Sequence, residues 1–91
     1  MSVEISSLIS KDIDIKNGKA MLAGTNTPVY RIVIWYKQGM TPEEIAEDCP
    51  HSLASVYAAL TYYHANKEEI EAEIKAENDV YESLLNQHRL K

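Results

Sequence analysis

Lys37-Gln38-Gly39-Met40-Thr41-Pro42-Glu43-Glu44-Ile45 is the stretch whose reading decides the fold. Gly39 is the residue type best able to take the left-handed conformation that closes a helix, so one helix ends here. Thr41 opens the next. Thr41 and Glu44 form a Thr-x-x-Glu capping box, in which each side chain satisfies the other residue's backbone N–H. Pro42 falls at the first helical position, where its missing N–H wastes no hydrogen bond. Helix, glycine turn and capped second helix are the start of a helix-turn-helix. Yet residues 37–49 carry four carboxylates, Glu43, Glu44, Glu47 and Asp48. DNA reading therefore does not follow from the motif alone.

Working outward, Thr27 is placed to cap helix one with Pro28 at its first position, and Ile32, Val33 and Tyr36 fall on one face. Ile45 points inward from helix two, which Pro50 stops. Ser52 is placed to cap helix three, which carries Leu53, Val56, Tyr57 and Leu60. Residues 61–87 contain no Gly or Pro and are rich in Ala, Glu, Lys and Leu, which predicts uninterrupted helix. Ile70, Ile74, Tyr81 and Leu84 or Leu85 form an apolar stripe along it. Glu71 and Lys75 stand in the favourable i,i+4 order, whereas Glu69/Glu73 and Glu73/Glu77 repel. Such a helix is weak alone, so the stripe is expected to be covered. Upstream, Ile13-Asp14-Ile15 alternates as a strand does, Asn17-Gly18 is a tight-turn signal, and Lys19–Ala23 supplies a return strand.

The fold class that follows is mainly α: a trihelical helix-turn-helix core, a short N-terminal β hairpin or strand segment and a long C-terminal helix. A chain of 91 residues is one domain, divided into a strand segment (1–24), the helix-turn-helix core (27–66) and an acidic helical extension (67–91). So small a core is often completed by dimerisation, and a homodimer is expected. The single Cys49 excludes an internal disulfide and suits a reducing compartment. The opening MSVEISSLISKD lacks a basic region followed by an apolar run, and no stretch approaches a membrane span, so a cytoplasmic protein with no membrane partner is expected.

The net charge of −5 argues against a generic nucleic-acid coat. Its distribution is more informative. Residues 1–39 hold five basic and three acidic groups (+2), residues 40–66 four acids and no Lys or Arg (−4), and residues 67–91 seven acids and four bases (−3). No Gly-rich phosphate loop or supported nucleophile is present, and Cys49-x-His51 offers too few ligands for zinc, so neither enzyme activity nor a cofactor or metal is expected. If DNA is bound, Lys11, Lys16, Lys19, Arg31 and Lys37 supply the charge. Ser52, Ser55, Thr61 and Tyr62 are then the contacts from the third helix, with Ala54, Ala58 and Ala59 on the same exposed face. The usual base readers Arg, Lys, Asn and Gln are missing there. The acidic helix is the other candidate. Glu69, Glu73 and Glu77 with Ile70, Ile74, Tyr81 and Leu84 suit helix-in-groove docking on a basic partner.

Ala23-Gly24-Thr25-Asn26-Thr27-Pro28-Val29 resembles the R-G-T-R-I-P-V signature of the bacterial domain-of-unknown-function family 433. Gly39–Ile45 resembles its G-x-S-P-E-E-I element, and Val56–Tyr63 its V-x-A-A-L-A-Y-Y helix. Asn66–Ile74 resembles an N-R-E-E-I-D-A-E-I extension of a branch common in cyanobacteria. Both signature arginines are replaced, by Ala23 and Asn26. The resemblance implies a homeodomain-like trihelical fold in proteins often described as VapB-type antitoxins, encoded beside a PIN-like ribonuclease toxin. Such antitoxins commonly bind operator DNA and cover the toxin with a C-terminal segment. The expectation is thus an antitoxin that inhibits a PIN-like ribonuclease through the acidic helix and binds its own promoter. The alternatives are a helix-turn-helix transcriptional regulator without a toxin, and a homodimeric adaptor that binds no DNA.

Overall fold

The computed structural model describes residues 4–12, 18–48 and 52–89. After a short 3-10 turn (Ile5–Leu8) come strand β1 (Ile9–Ser10) and strand β2 (Met21–Leu22), then helices α1 (Val29–Lys37), α2 (Pro42–Asp48), α3 (Leu53–Ala65) and α4 (Lys67–Arg89). The fold is mainly helical, with a two-stranded antiparallel sheet near the N-terminus and a long C-terminal helix, as the sequence pattern indicates.

The α1–α2 junction forms as its residues dictate. Gly39 lies at φ +103°, and the Gly39 and Met40 N–H groups donate to the carbonyls of Tyr36 and Trp35. These are the paired bonds of a Schellman motif, and Met40 lays its side chain against the core. In the capping box, the Thr41 N–H donates to Glu44 Oε1 at 2.9 Å and the Glu44 N–H to Thr41 Oγ1 at 3.2 Å. Ser52 caps α3 by accepting from the Ser55 N–H at 3.1 Å.

Several local expectations are corrected. β2 falls within the expected return strand, but its partner is Ile9–Ser10, with Ile9 opposite Leu22 and Ser10 opposite Met21. Ile13–Ile15 and Asn17, like Pro50, lie outside the described residues. Thr27 does not cap α1. The chain at 20–22 bonds instead to 27–29, through Leu22 N–H to Thr27 O and Val29 N–H to Ala20 O, both at 2.9 Å. That pairing holds Pro28 extended at φ −75°, ψ 153°, and delays the helix to Val29. Thr25 shapes the turn between them, donating to Leu22 O and accepting from the Thr27 N–H around Gly24 at φ +73°. Tyr36 is exposed, because the buried face of α1 is Val29, Tyr30, Ile32 and Val33. On α3, Ala58 and Ala59 are buried whereas Leu53 and Tyr57 are exposed.

The expected continuous helix breaks at Asn66. Its backbone leaves the helical region (φ −138°, ψ 48°), and its side-chain amide donates to Tyr62 O at 3.1 Å, terminating α3. Its own carbonyl accepts from the Ile70 N–H and starts α4. Asn competes for backbone hydrogen bonds in this way, so it ends a helix without glycine or proline. The bend returns α4 to the core. Ile70 is fully buried in the core cluster that also holds Ile32, Ile45, Val56 and Leu60, and Ile74 is half-buried. Beyond it Val80, Tyr81, Leu84 and Leu85 stand 40–63% exposed.

Two parts of one helix should therefore respond differently to truncation. Ile70→Ala should lower unfolding free energy by about 2–4 kcal/mol, the cost of a core cavity. Leu84→Ala should change it by less than about 0.5 kcal/mol. Urea unfolding of dilute protein measures both.

Candidate interaction surface

The first half of α4 lies against the core along a polar seam. Lys11 Nζ is 2.9 Å from Glu69 Oε1, and the Tyr62 hydroxyl donates to Glu69 Oε2 at 2.9 Å. Lys37 Nζ donates to both oxygens of Glu71 at 2.7 and 2.8 Å, and the Tyr63 hydroxyl donates to the same carboxylate. Arg31 reaches Glu77 at 3.5 Å, and the Tyr30 hydroxyl donates to Glu77 at 3.3 Å. Each carboxylate is held by one cation and one tyrosine. Such half-exposed pairs are individually weak, but three along one helix fix its register on the core.

The candidate DNA contacts therefore divide. Lys11 and Lys37 face α4 carboxylates, Lys19 and Arg31 flank Tyr30, and Lys16 lies outside the described residues. Ser52 and Thr61 are exposed, Ser55 partly so, and Tyr62 is half-buried against Glu69. The structure brings Lys11 to the Tyr62 hydroxyl, at 3.3 Å, and Lys19 and Arg31 to the Tyr30 ring. The candidate partner contacts divide too. Glu69 and Glu77 are engaged within the chain, Ile70 is buried, Glu73 and Ile74 are half-buried, and Tyr81 and Leu84 are free to solvent. The expected Glu71–Lys75 pair gives way to Lys37–Glu71 and Lys75–Asp79, the latter at 3.0 Å. Glu71, Val80 and the tyrosines Tyr30 and Tyr63 were not legible as site residues. Only the exposed stripe had a sequence signal, since Val80 and Leu85 adjoin Tyr81 and Leu84 at helical spacing.

Electrostatics follow the seam. Hydrogen bonds from Lys37, then Tyr63, hold the Glu71 carboxyl below the usual carboxylate range, while the hydrogen bond to Glu71 raises Lys37. The bond to Glu69 likewise raises Lys11. The Tyr62 and Tyr30 phenols are raised chiefly by burial, and the Tyr63 phenol chiefly by its bond to Glu71. Glu73 behaves oppositely to Glu71. Burial, then the neighbouring Glu69 charge, pushes its carboxyl up, and its Oε1 is buried with no hydrogen-bond partner.

A groove of about 420 Å³ opens between β2, the turn after it and α1, bordered by Lys19, Asn26, Pro28, Tyr30, Arg31 and Trp35. Lys19 Nζ and Arg31 Cζ lie 5.2 and 5.8 Å from the Tyr30 ring centroid. Among the described residues no carboxylate lines it, and no three His, Cys, Asp or Glu side chains converge as a metal site. No described helix is long and apolar enough to cross a membrane.

The two glutamates should have opposite pH signatures. A lowered native pKa contributes stability above the carboxylate range that is lost as pH falls through that native value; a raised one costs stability above the range, and the cost disappears below it. Glu71→Gln should thus lower the urea midpoint at pH 7, and Glu73→Gln should raise it. The Glu73 difference should fade once pH falls below the ordinary carboxylate range, whereas the Glu71 difference should persist to lower pH, until its own depressed native value is passed.

The family model described as "Protein of unknown function (DUF433)" matches residues 9–63, covering the sheet and the helices up to Tyr63 in α3. The crystal structure of a DUF433 member protein from Anabaena variabilis ATCC 29413 is similar at a TM-score of 0.71. It is 28% identical, over 78% of this chain and 71% of that one. No curated protein matches. With the fold and most of its length in agreement, the chain belongs to the DUF433 family.

Proposed function

We propose that this protein is a VapB-like antitoxin of the cyanobacterial-type DUF433 branch, a cytoplasmic binding protein rather than an enzyme. It inhibits a PIN-like ribonuclease by laying the distal half of α4 into an apolar groove of that partner. The observation that carries this reading is the stripe Val80, Tyr81, Leu84 and Leu85, at i, i+1, i+4 and i+5 spacing and 40–63% exposed. Exposed apolar residues in one stripe are what helix-in-groove recognition uses. The half of α4 before it is anchored to the core by Ile70 and the seam, so the docking half is presented from a fixed base.

The docking surface is narrower than charge alone suggests. Three carboxylates of α4, Glu69, Glu71 and Glu77, are paired inside the chain, so the anchors are apolar and these carboxylates set where the helix sits. Operator binding gains little from α3, which carries no Lys or Arg. A homodimer through the same stripe is the competing use.

Co-expression with the product of the adjacent gene, followed by pull-down and a ribonuclease assay, tests the proposal. A complex that silences nuclease activity is expected. Tyr81→Asp with Leu84→Asp should weaken it at least about 100-fold, as for loss of central apolar anchors. Lys67→Ala should leave it intact. An adjacent product that is no nuclease, or that forms no complex, refutes the reading. Light scattering that reports a dimer dispersed by the same two substitutions, with no partner bound, assigns the stripe to self-association instead.

A further inference from the structure

The groove beside α1 is independent of the docking stripe and shares no residue with it. Its walls are fixed by backbone. Met21 and Pro28 bridge, and the Leu22 and Val29 N–H groups donate across the turn to the Thr27 and Ala20 carbonyls, so the opening exists without a ligand to shape it. In a chain of net charge −5, two cations border this groove and no described carboxylate lines it. Arg31 keeps 42% of its side chain exposed despite its 3.5 Å approach to Glu77. Tyr30 is only 7% exposed and already carries both cations against its ring, so the half-buried indole of Trp35 is the aromatic surface left for a ligand. The exposed Asn26 adds an amide able to donate and accept at the rim. The volume lies within the range of small-ligand sites.

Two cations suit a doubly charged phosphate better than a single carboxylate, and an indole beside them suits a planar base. We propose that this groove binds one nucleotide unit bearing a terminal phosphate. Lys19 and Arg31 hold the phosphate, Trp35 stacks on the base, and Asn26 meets the base edge. The same chemistry is offered by a free nucleoside monophosphate and by the 5′ end of a phosphorylated strand.

Trp35 is the sole tryptophan, so its fluorescence reports the site directly. Titrations use a nucleoside monophosphate, the matching nucleoside, inorganic phosphate, and a short RNA with and without its 5′-phosphate. The mononucleotide should quench Trp35 saturably, and Lys19→Ala should weaken binding at least about tenfold, the loss of one charge-assisted hydrogen bond. Lys19 is the diagnostic position because Arg31 also holds Glu77. Thermal melts confirm that the variant is folded. Tighter binding of the 5′-phosphorylated RNA than of the mononucleotide identifies a strand end as the ligand, and the reverse a free nucleotide. The proposal is overturned by any of three results: no quenching at millimolar nucleotide, equal response to the nucleoside or to phosphate alone, or unchanged affinity in folded Lys19→Ala. None of these bears on the docking stripe.

Discussion

The return of α4 onto the trihelical core is the constraint on which the rest depends. Burial of Ile70 supplies the hydrophobic part, and three cation–tyrosine–carboxylate groups supply the register. Neither suffices alone. A single buried isoleucine fixes a point and not a direction, and surface ion pairs contribute little without a surface to hold them in place. Together they align about half of a 23-residue helix and leave the other half beyond the core. This also resolves the charge asymmetry of the sequence. The basic N-terminal part and the acidic helix attract each other within one molecule.

The seam reassigns much of what composition offers to outside partners. A lysine in sequence is equally a phosphate contact or half of an internal pair. Lys11 meets Glu69 across 58 residues and Lys37 meets Glu71 across 34, separations that no local pattern encodes. What short-range chemistry governs was legible: the Gly39 stop, the Thr41–Glu44 box and the Ser52 cap are each decided within a few residues. Where a longer-range bond competes, the local rule loses. Thr27 and Pro28 have the composition of a helix start, but pairing of 27–29 with 20–22 holds them extended. At Asn66 the decisive bond is side chain to backbone, so composition reads straight through the break.

The candidate surfaces show the same division. The apolar stripe was visible as helical periodicity, though periodicity could not separate its buried half from its exposed half; that depends on where α4 leaves the core. The groove was not visible at all. Lys19 comes from the chain before β2, Asn26 from a turn, and Arg31 and Trp35 from a helix. Only the packing of 20–22 against 27–29 joins them.

Glu73 is the carboxylate within the seam that finds no hydrogen-bond partner for its buried Oε1. It sits between Glu69 and Glu77 on the same helix, half-buried, with one oxygen unpaired and with Lys11 and Lys19 acting on it only through space. Its flanking carboxylates each have a cation and a tyrosine; Glu73 pays desolvation without either. A carboxylate in that position works against docking of α4 at neutral pH while its neighbours work for it. The seam is therefore a balance and not a lock. That balance lies in the anchored half, immediately before the exposed stripe, so a charge placed at or removed from position 73 acts on how firmly α4 is presented without touching the apolar anchors themselves.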